Sequence, residues 1–302
     1  YGYNYQYTRN TLQLNSGTNP ETGLPAFSEI GMYAQVQETD WSWAVLFADY
    51  DNDGWKDIYI ANGFPKDVTD RDFADFRAQA SNLVTKKELI AAIPEVKSPN
   101  FLFRNKGDLT FENVTKDWGL SYPSFSNGAA YADLDQDGDL DLIPNNIDDP
   151  AFIFENTTYR PNTREHHFLR LQLKGSPQNP DAFGASATIY AKGRQQKSFL
   201  ISGRGYLSKP ENALHFGIGS EEQVDSAVVQ WPDGKVSKLE WLVADQVVEV
   251  NYQQAVHKNA LTTTTQGNTL FTPAALPTGL LFKDEDKDFI DFNIQRTIPH
   301  KF

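Results

Sequence analysis

Short runs in which apolar and polar residues alternate, broken by Gly, Asn, Asp and Pro, fill most of this chain. A period of two predicts β-strands with one buried face. Three runs share a phrase: "LQLNSG" (12–17), "FLFRNKGDLTFENVT" (101–115) and "FIFENTTYRPN" (152–162). Each is an alternating strand running into an Asn-containing turn. After a linker, the first two are followed by a strand and an acidic loop, "WSWAVLFAD" (41–49) and "FSNGAAYAD" (125–133). A further strand leaves each loop, "DIYIANG" (57–63) and "DLIPNN" (141–146). The repeated unit therefore reads strand, turn, strand, linker, strand, acidic loop, strand. Four short strands per unit predict propeller blades.

Between the two units the period changes. "DRDFADFRAQASNLVTKKELIAAI" (70–93) places apolar residues at helical spacing, with Thr85 and Glu88 set as a capping box and Pro94 and Pro99 beyond its end. It predicts a helical insertion, at about 70–95, on one blade. From 163 the strands shorten again, as in "HHFLRLQLKG", "GASATIYAKG", "ALHFGIG" and "VDSAVVQWPDG". They predict a separate all-β module over 163–255, a sandwich or a barrel. Residues 256–302 read as a linker followed by the start of a further repeat or domain. The expected organisation is thus mainly β: propeller blades over 1–162, then the β module, then the tail.

Composition narrows what such a scaffold does. The formal net charge of −13 over 302 residues disfavours attraction to nucleic acid. No apolar run is long enough to be a membrane helix. The chain has no cysteine, which removes disulfides, thiolate metal sites and cysteine nucleophiles. Because it opens on Tyr1 with no signal peptide in view, the expectation is a processed portion of something longer.

The acidic loops carry the chemistry. A hard cation such as Ca²⁺ takes six to eight oxygens from a loop able to wrap it. Asp49, Asp51 and Asp53 stand at loop positions 1, 3 and 5 with Gly54 at 6; Asp133, Asp135, Asp137 and Gly138 repeat the pattern. An EF-hand needs a bidentate Glu at position 12, where these loops have Ile60 and Pro144. Instead an acid stands at position 9, Asp57 and Asp141, and a strand follows rather than a helix. The pattern is a β-hairpin calcium loop, D-x-D-x-D-G-x-x-D, in which Trp55 and Asp139 at position 7 would add main-chain carbonyls with their side chains pointing elsewhere. A solvated acidic turn is the plainer reading of one such loop; two in the same repeat argue against it. Crowded carboxylates repel one another, and a divalent ion relieves that. Catalysis at the loops is disfavoured, because one closed cage would consume every acid.

The loops resemble those of FG-GAP/VCBS repeats, the units of integrin-α-like β-propellers, and "NFLFRNKGDLTFENVTKDWGL" (100–120) is similar to the hairpin preceding each such loop. The β module resembles the ASPIC/UnbV domain in "DAFGASATIYAKG" (181–193), "SGRGYLSKPENALHFGIG" (202–219) and "VDSAVVQWPDGK" (224–235). The combination is similar to the cartilage-acidic-protein-like family, in a version that looks like the secreted or surface-attached proteins of Bacteroidota. The resemblance implies a seven-bladed propeller, of which this chain holds about two recognisable blades and the beginning of a third, a partial propeller. It also implies an extracellular, cell-surface or outer-membrane-associated location, and Ca²⁺ held by Asp49, Asp51, Asp53, Asp57, Asp133, Asp135, Asp137 and Asp141. It implies no catalytic activity.

Three other features were weighed. The tryptophans of "DWSWA" (40–44) offer a sugar-stacking platform or packing between blades. His166 and His167 are strand neighbours and face opposite ways, which argues against a shared metal. "SGRGYLS" (202–208) displays Arg204 and Tyr206 as a binding loop, or is a structural corner. The leading expectation is a non-enzymatic calcium-binding surface protein that binds a protein or glycan partner through its loops and the helical insertion. The alternatives are a subunit of an outer-membrane uptake or adhesion complex, and a polysaccharide-acting hydrolase or lyase with a carboxylate pair apart from the calcium loops.

Overall fold

The computed structural model describes residues 9–67, 69–80, 83–158 and 165–257, all within one unit, Tyr1–Lys258. The expectations placed on the tail beyond His257 lie outside the described residues.

The chain begins with an antiparallel hairpin, β1 (Gln13–Thr18) and β2 (Pro25–Glu29). A four-stranded antiparallel sheet follows: β3 (Ser42–Ala48), β4 (Asp57–Asn62), β6 (Phe101–Asn105) and β7 (Phe111–Asn113), in the order β3-β4-β6-β7. Strand β4, "DIYIAN", is buried along its whole length because the sheet is covered on both faces there, and its sequence accordingly runs apolar without alternating. Helices α1 (Arg71–Ala80) and α2 (Lys86–Ala91) occupy the connection from β4 to β6. Their capping box forms as expected: Glu88 N donates to Thr85 Oγ1 at 3.3 Å, and Thr85 N donates to Glu88 Oε2 at 2.8 Å.

A two-residue pairing of β5 (Ser98–Pro99) with β8 (Pro123–Ser124) ties this blade to the next. There β9 (Ser126–Ala132) pairs with β10 (Asp141–Asn146), and Phe154 extends the sheet by bridging to Leu142. The phasing of the repeat differs from the expected one. The hairpin at 101–115 completes the sheet begun by the loop before it, not the loop after it. Sequence order alone fits either phase; the ladder Ile58↔Phe103, Tyr59↔Leu102, Ile60↔Phe101 decides it.

Two apolar clusters stack these elements. Ile58, Ile60, Phe103 and Phe111 pack with Leu12, Ile30, Ala34 and Val36 on one side of the first blade. On the other side Ala44, Leu46, Tyr59 and Leu102 meet Ala129, Leu140 and Leu142 of the second. Small residues at Ala44, Ala48, Ala61 and Ala129 let the blades approach closely.

The β module is a sandwich, and no barrel closes. Its strands are β11 (His167–Lys174), β12 (Ser186–Ala191), β13 (Arg194–Phe199), β14 (Leu214–Gly219), β15 (Gln223–Gln230), β16 (Lys235–Val243), β17 (Gln246–Asn251) and β18 (Val256–His257). One sheet has the order β14-β11-β17 and the other β13-β12-β15-β16-β18. Strand β18 carries the module to His257, two residues past the expected boundary at 255. The core between the sheets includes Leu169, Leu171, Ile189, Leu214, Phe216, Ile218, Val224 and Trp231. Burying each such side chain contributes on the order of 1.5–3 kcal/mol. Trp231 satisfies its indole N–H on Ser237 Oγ at 3.0 Å.

Candidate metal centre

Each acidic loop is the turn of a hairpin, β3–β4 or β9–β10, so alternation in the strand is what delivers its first and ninth positions to the blade interior. The two turns share a backbone. Position 4 is left-handed in both, with φ +58° at Asn52 and +64° at Gln136; the position-6 glycines lie at +92° (Gly54) and +98° (Gly138).

In the first loop Asp49 is buried. Its Oδ2 accepts from Gly54 N at 2.8 Å, and its Oδ1 is buried with no hydrogen-bond partner. Asp51 Oδ1 accepts from Asp53 N at 3.2 Å, and Asp53 Oδ1 from Trp55 N at 2.8 Å. Asp57 accepts twice from main chain, from Tyr50 N at 3.1 Å and from Asn105 N at 2.9 Å. Oxygens of Asp49, Asp51 and Asp57 all lie within 4.8 Å of one another. Asp53 lies outside that group, and Arg104 spans the outer two acids, its Nε 2.8 Å from Asp51 Oδ2 and its Nη2 3.2 Å from Asp53 Oδ2.

The second loop repeats the plan. Asp133 accepts from Asp137 N and Gly138 N, each at 3.1 Å. Asp141 accepts from Leu134 N at 2.9 Å and Asn156 N at 2.8 Å. Asp133, Asp135 and Asp137 bring oxygens within 4.8 Å of one another, while Asp141 stands outside that group. The position-7 residues differ. The ring of Trp55 points outward beneath Arg194, 5.2 Å from ring centroid to guanidinium carbon. Asp139, expected to turn its side chain away, instead buries it and hydrogen-bonds Asp137.

Burial and crowding act together on these groups. Burial first, then the neighbouring Asp57, Asp51 and Asp53, holds the Asp49 carboxyl far above the usual range. Burial followed by Asp53 raises Asp51, and burial pushes Asp57 up to about 8 against its two backbone donors. Asp137 is raised, again chiefly by burial. Burial also raises Glu211, which shares Arg170 with Asp133. The donor set is all oxygen, the glycines permit the turn, and a buried carboxylate oxygen is without a partner; these clusters can hold a hard cation.

The sequence reading missed the residues around the loops. Arg104 is the cation in "LFRN", Arg170 ion-pairs with both Asp133 and Glu211, and Asn52 donates from the first loop to Gly138 O in the second at 3.0 Å. The alternating "HFLRLQL" puts Arg170 on the face opposite the core leucines 169, 171 and 173, where only contact with the blades buries it; nothing local marks Asn52.

Other candidates are placed as follows. His166 Nδ1 lies 2.7 Å from Asp51 O and His167 Nδ1 2.7 Å from Asp245 Oδ2, so the two imidazoles do part. Trp41 stacks on Phe64, and Trp43 packs against Tyr206 while donating to Gly63 O at 2.9 Å. The 202–208 loop is fastened to the blades, with Ala129 N donating to Ser208 Oγ at 3.0 Å. A cleft of about 800 Å³ is lined by Asp51, Arg104, Trp118, Glu155 and His166 and opens onto the first loop. Among the described residues no helix is long and apolar enough to cross a membrane.

Comparison with known proteins follows this division. Residues 86–143 match the model of the FG-GAP-like repeat, and residues 175–257 match that of ASPIC and UnbV. The chain combines an FG-GAP-like repeat with an ASPIC and UnbV domain. The FG-GAP match contains the second acidic loop; the first is its structural equal by backbone and hydrogen bonding. Cartilage acidic protein 1 of Homo sapiens is 27% identical over 204 residues, 64% of this chain and 25% of that protein. The Mus musculus protein of the same name is 26% identical over 204 residues, 64% of this chain and 26% of its own. That of Xenopus tropicalis is 34% identical over 113 residues, 36% and 16% of the two lengths. The chain thus spans about a quarter, or less, of the relatives it matches.

Proposed function

We propose that this protein is a non-enzymatic, extracellular or surface-attached scaffold in which Ca²⁺ bound by the two acidic loops stabilises FG-GAP-like blades. The observation that carries this reading is the duplication itself. Two loops of the same D-x-D-x-D-G-x-x-D pattern hold three carboxylates apiece close together, on the same left-handed turns. In the first, Asp49 Oδ1 is buried and without a partner. Asp49, Asp51, Asp53 and Asp57, and Asp133, Asp135, Asp137 and Asp141, would supply side-chain oxygens, with the carbonyls of Trp55 and Asp139. Of these, Asp57 and Asp141 also brace the blade through main-chain donors. Ca²⁺ fits better than Mg²⁺, which keeps its waters and seldom uses an all-protein cage.

The non-enzymatic reading is supported by where Asp49, Asp51, Asp57, Asp137 and Glu211 sit: the four raised aspartates belong to the loops, and Glu211 touches one through Arg170. The extracellular reading is supported by the repeat and domain types and by the similarity to cartilage acidic protein 1. The scaffold would present the 70–93 helices and the blade loops to a protein or glycan partner, alone or within a larger outer-membrane assembly. Thermal unfolding in calcium and in EGTA tests the calcium reading; a glycan array and pull-downs test the partner class. Turnover of a polysaccharide by purified protein would contradict the non-enzymatic reading.

A further inference from the structure

We propose that the acidic loops are also the floor on which the β sandwich rests, so that cation binding fastens the sandwich to the blades. This rests on the calcium reading above and adds a regulatory role to the same residues.

The apolar clusters give the first argument. Among the described residues, the sandwich core draws on positions 169–255 alone, and the two blade clusters on positions up to 154. No apolar cluster spans the two parts. Their contact is made instead by the polar loops with the sheet β14-β11-β17, and by the separate segment 203–211.

That contact is close. A Cβ built on Gly217 of β14 would lie 2.1 Å from Asp49 Oδ2 and 2.5 Å from the Cα of Asn52, so the two backbones nearly touch. Gly219 N donates to Asn52 O at 2.9 Å, His215 Nε2 lies 2.6 Å from Asn52 Oδ1, and His166 Nδ1 meets Asp51 O. At the second loop the Phe168 ring covers Gly138, and Arg170 pairs with Asp133. The Asn52 to Gly138 bond joins the two loops into one surface. Beside it, Asp49, Glu211 and His215 line a cavity of about 30 Å³. Asp49 Oδ1, Glu211 Oε1 and His215 Nδ1 are each buried without a partner. Since one water needs at least roughly 10–15 Å³, the cavity has room for a bridging water between loop and sandwich.

A loop that folds around a cation presents this surface in one shape; a loop whose carboxylates repel one another does not. Residues 203–211 keep independent holds on the blades, Tyr206 on Trp43 and Ser208 on Ala129, so chelation should loosen the β11 and β14 ends without detaching 203–211.

Hydrogen exchange on the full chain, in saturating calcium and in EGTA, tests the proposal. Chelation is expected to raise exchange at Gly219 and across 166–168 about ten-fold or more, with 223–243 unchanged. Gly217→Ala, if folded by circular dichroism, is expected to weaken calcium binding about ten-fold by calorimetry. Asn52→Gly is the second variant, since glycine accepts the φ of +58° and only the side-chain bonds are lost. Calcium binding with unchanged exchange at Gly219 and 166–168, or unchanged affinity in both variants, would overturn the clamp and leave the calcium reading standing. No binding of calcium at all would overturn both.

Discussion

Asp57 accepts the backbone N–H of Asn105 at 2.9 Å across 48 residues of sequence, and Asp141 repeats the bond with Asn156 at 2.8 Å. In each blade the ninth residue of the acidic loop therefore fixes the third strand to the hairpin, whatever else it holds. In EGTA, Asp57→Ala should strand the amides of Tyr50 and Asn105 and cost on the order of 3 kcal/mol in urea unfolding, with Asp57→Asn costing less. Full stability in EGTA would mean that the carboxylate matters only through a cation.

Calcium binding should release protons near neutral pH. Asp57 is pushed up to about 8 by burial, and Asp49 is raised further by burial and its neighbours. A carboxyl raised in the folded state stabilises it below the unfolded value of about 3.9, and that contribution is lost as pH rises through the folded value. Without calcium, stability should thus fall between about pH 4 and 8; with calcium, affinity should rise over the same window. Calorimetry in buffers of different ionisation enthalpy checks this, and binding with no proton release would contradict it.

His215 should give the opposite slope at lower pH. Burial, then Arg170 and Lys56, pushes its imidazole down to about 3 while it contacts Asn52. A depressed folded value means stability is complete above the unfolded value of about 6.5 and is lost as pH falls toward the folded one, by up to about 1.4 kcal/mol per pH unit. His215→Gln should flatten urea midpoints between about pH 6.5 and 4; an unchanged slope would place the acid sensitivity elsewhere.

Gly138 is indispensable for two reasons at once. Its φ is +98°, and a Cβ there would lie 1.8 Å from the Phe168 ring. Gly138→Ala should cost about 3 kcal/mol or more. Gly138→Ala with Phe168→Leu should recover part of it, because the ring is one of the two penalties. A strictly additive double mutant would show that backbone strain is the whole cost.

Much of this fold is legible in the residues because its signals are local. Alternation marks β3, β9 and β11, the capping box marks α2, and the spacing of Asp49, Asp51, Asp53 and Gly54 marks the acidic hairpin turn between β3 and β4. The phase of the blade was not legible, since the hairpin at 101–115 lies between two loops and only the β4–β6 ladder assigns it. Asn52, Arg170 and Gly217 were also missed. Their roles come from contacts over long sequence separations, 86 residues for Asn52 with Gly138, which no local pattern records. Nor does the spacing tell that the seventh loop position is exposed as Trp55 in one blade and buried as Asp139 in the other.

Calorimetric titration of chelator-stripped protein with calcium, read beside its melting temperature, tests the central claim most directly. Two ions per chain are expected, with Kd on the order of 10⁻⁴–10⁻³ M. At about a hundred times Kd each site contributes about 2.7 kcal/mol. That corresponds to a rise of several degrees in a unit of this size. No binding heat, with the same melting temperature in calcium and in EGTA, would contradict it.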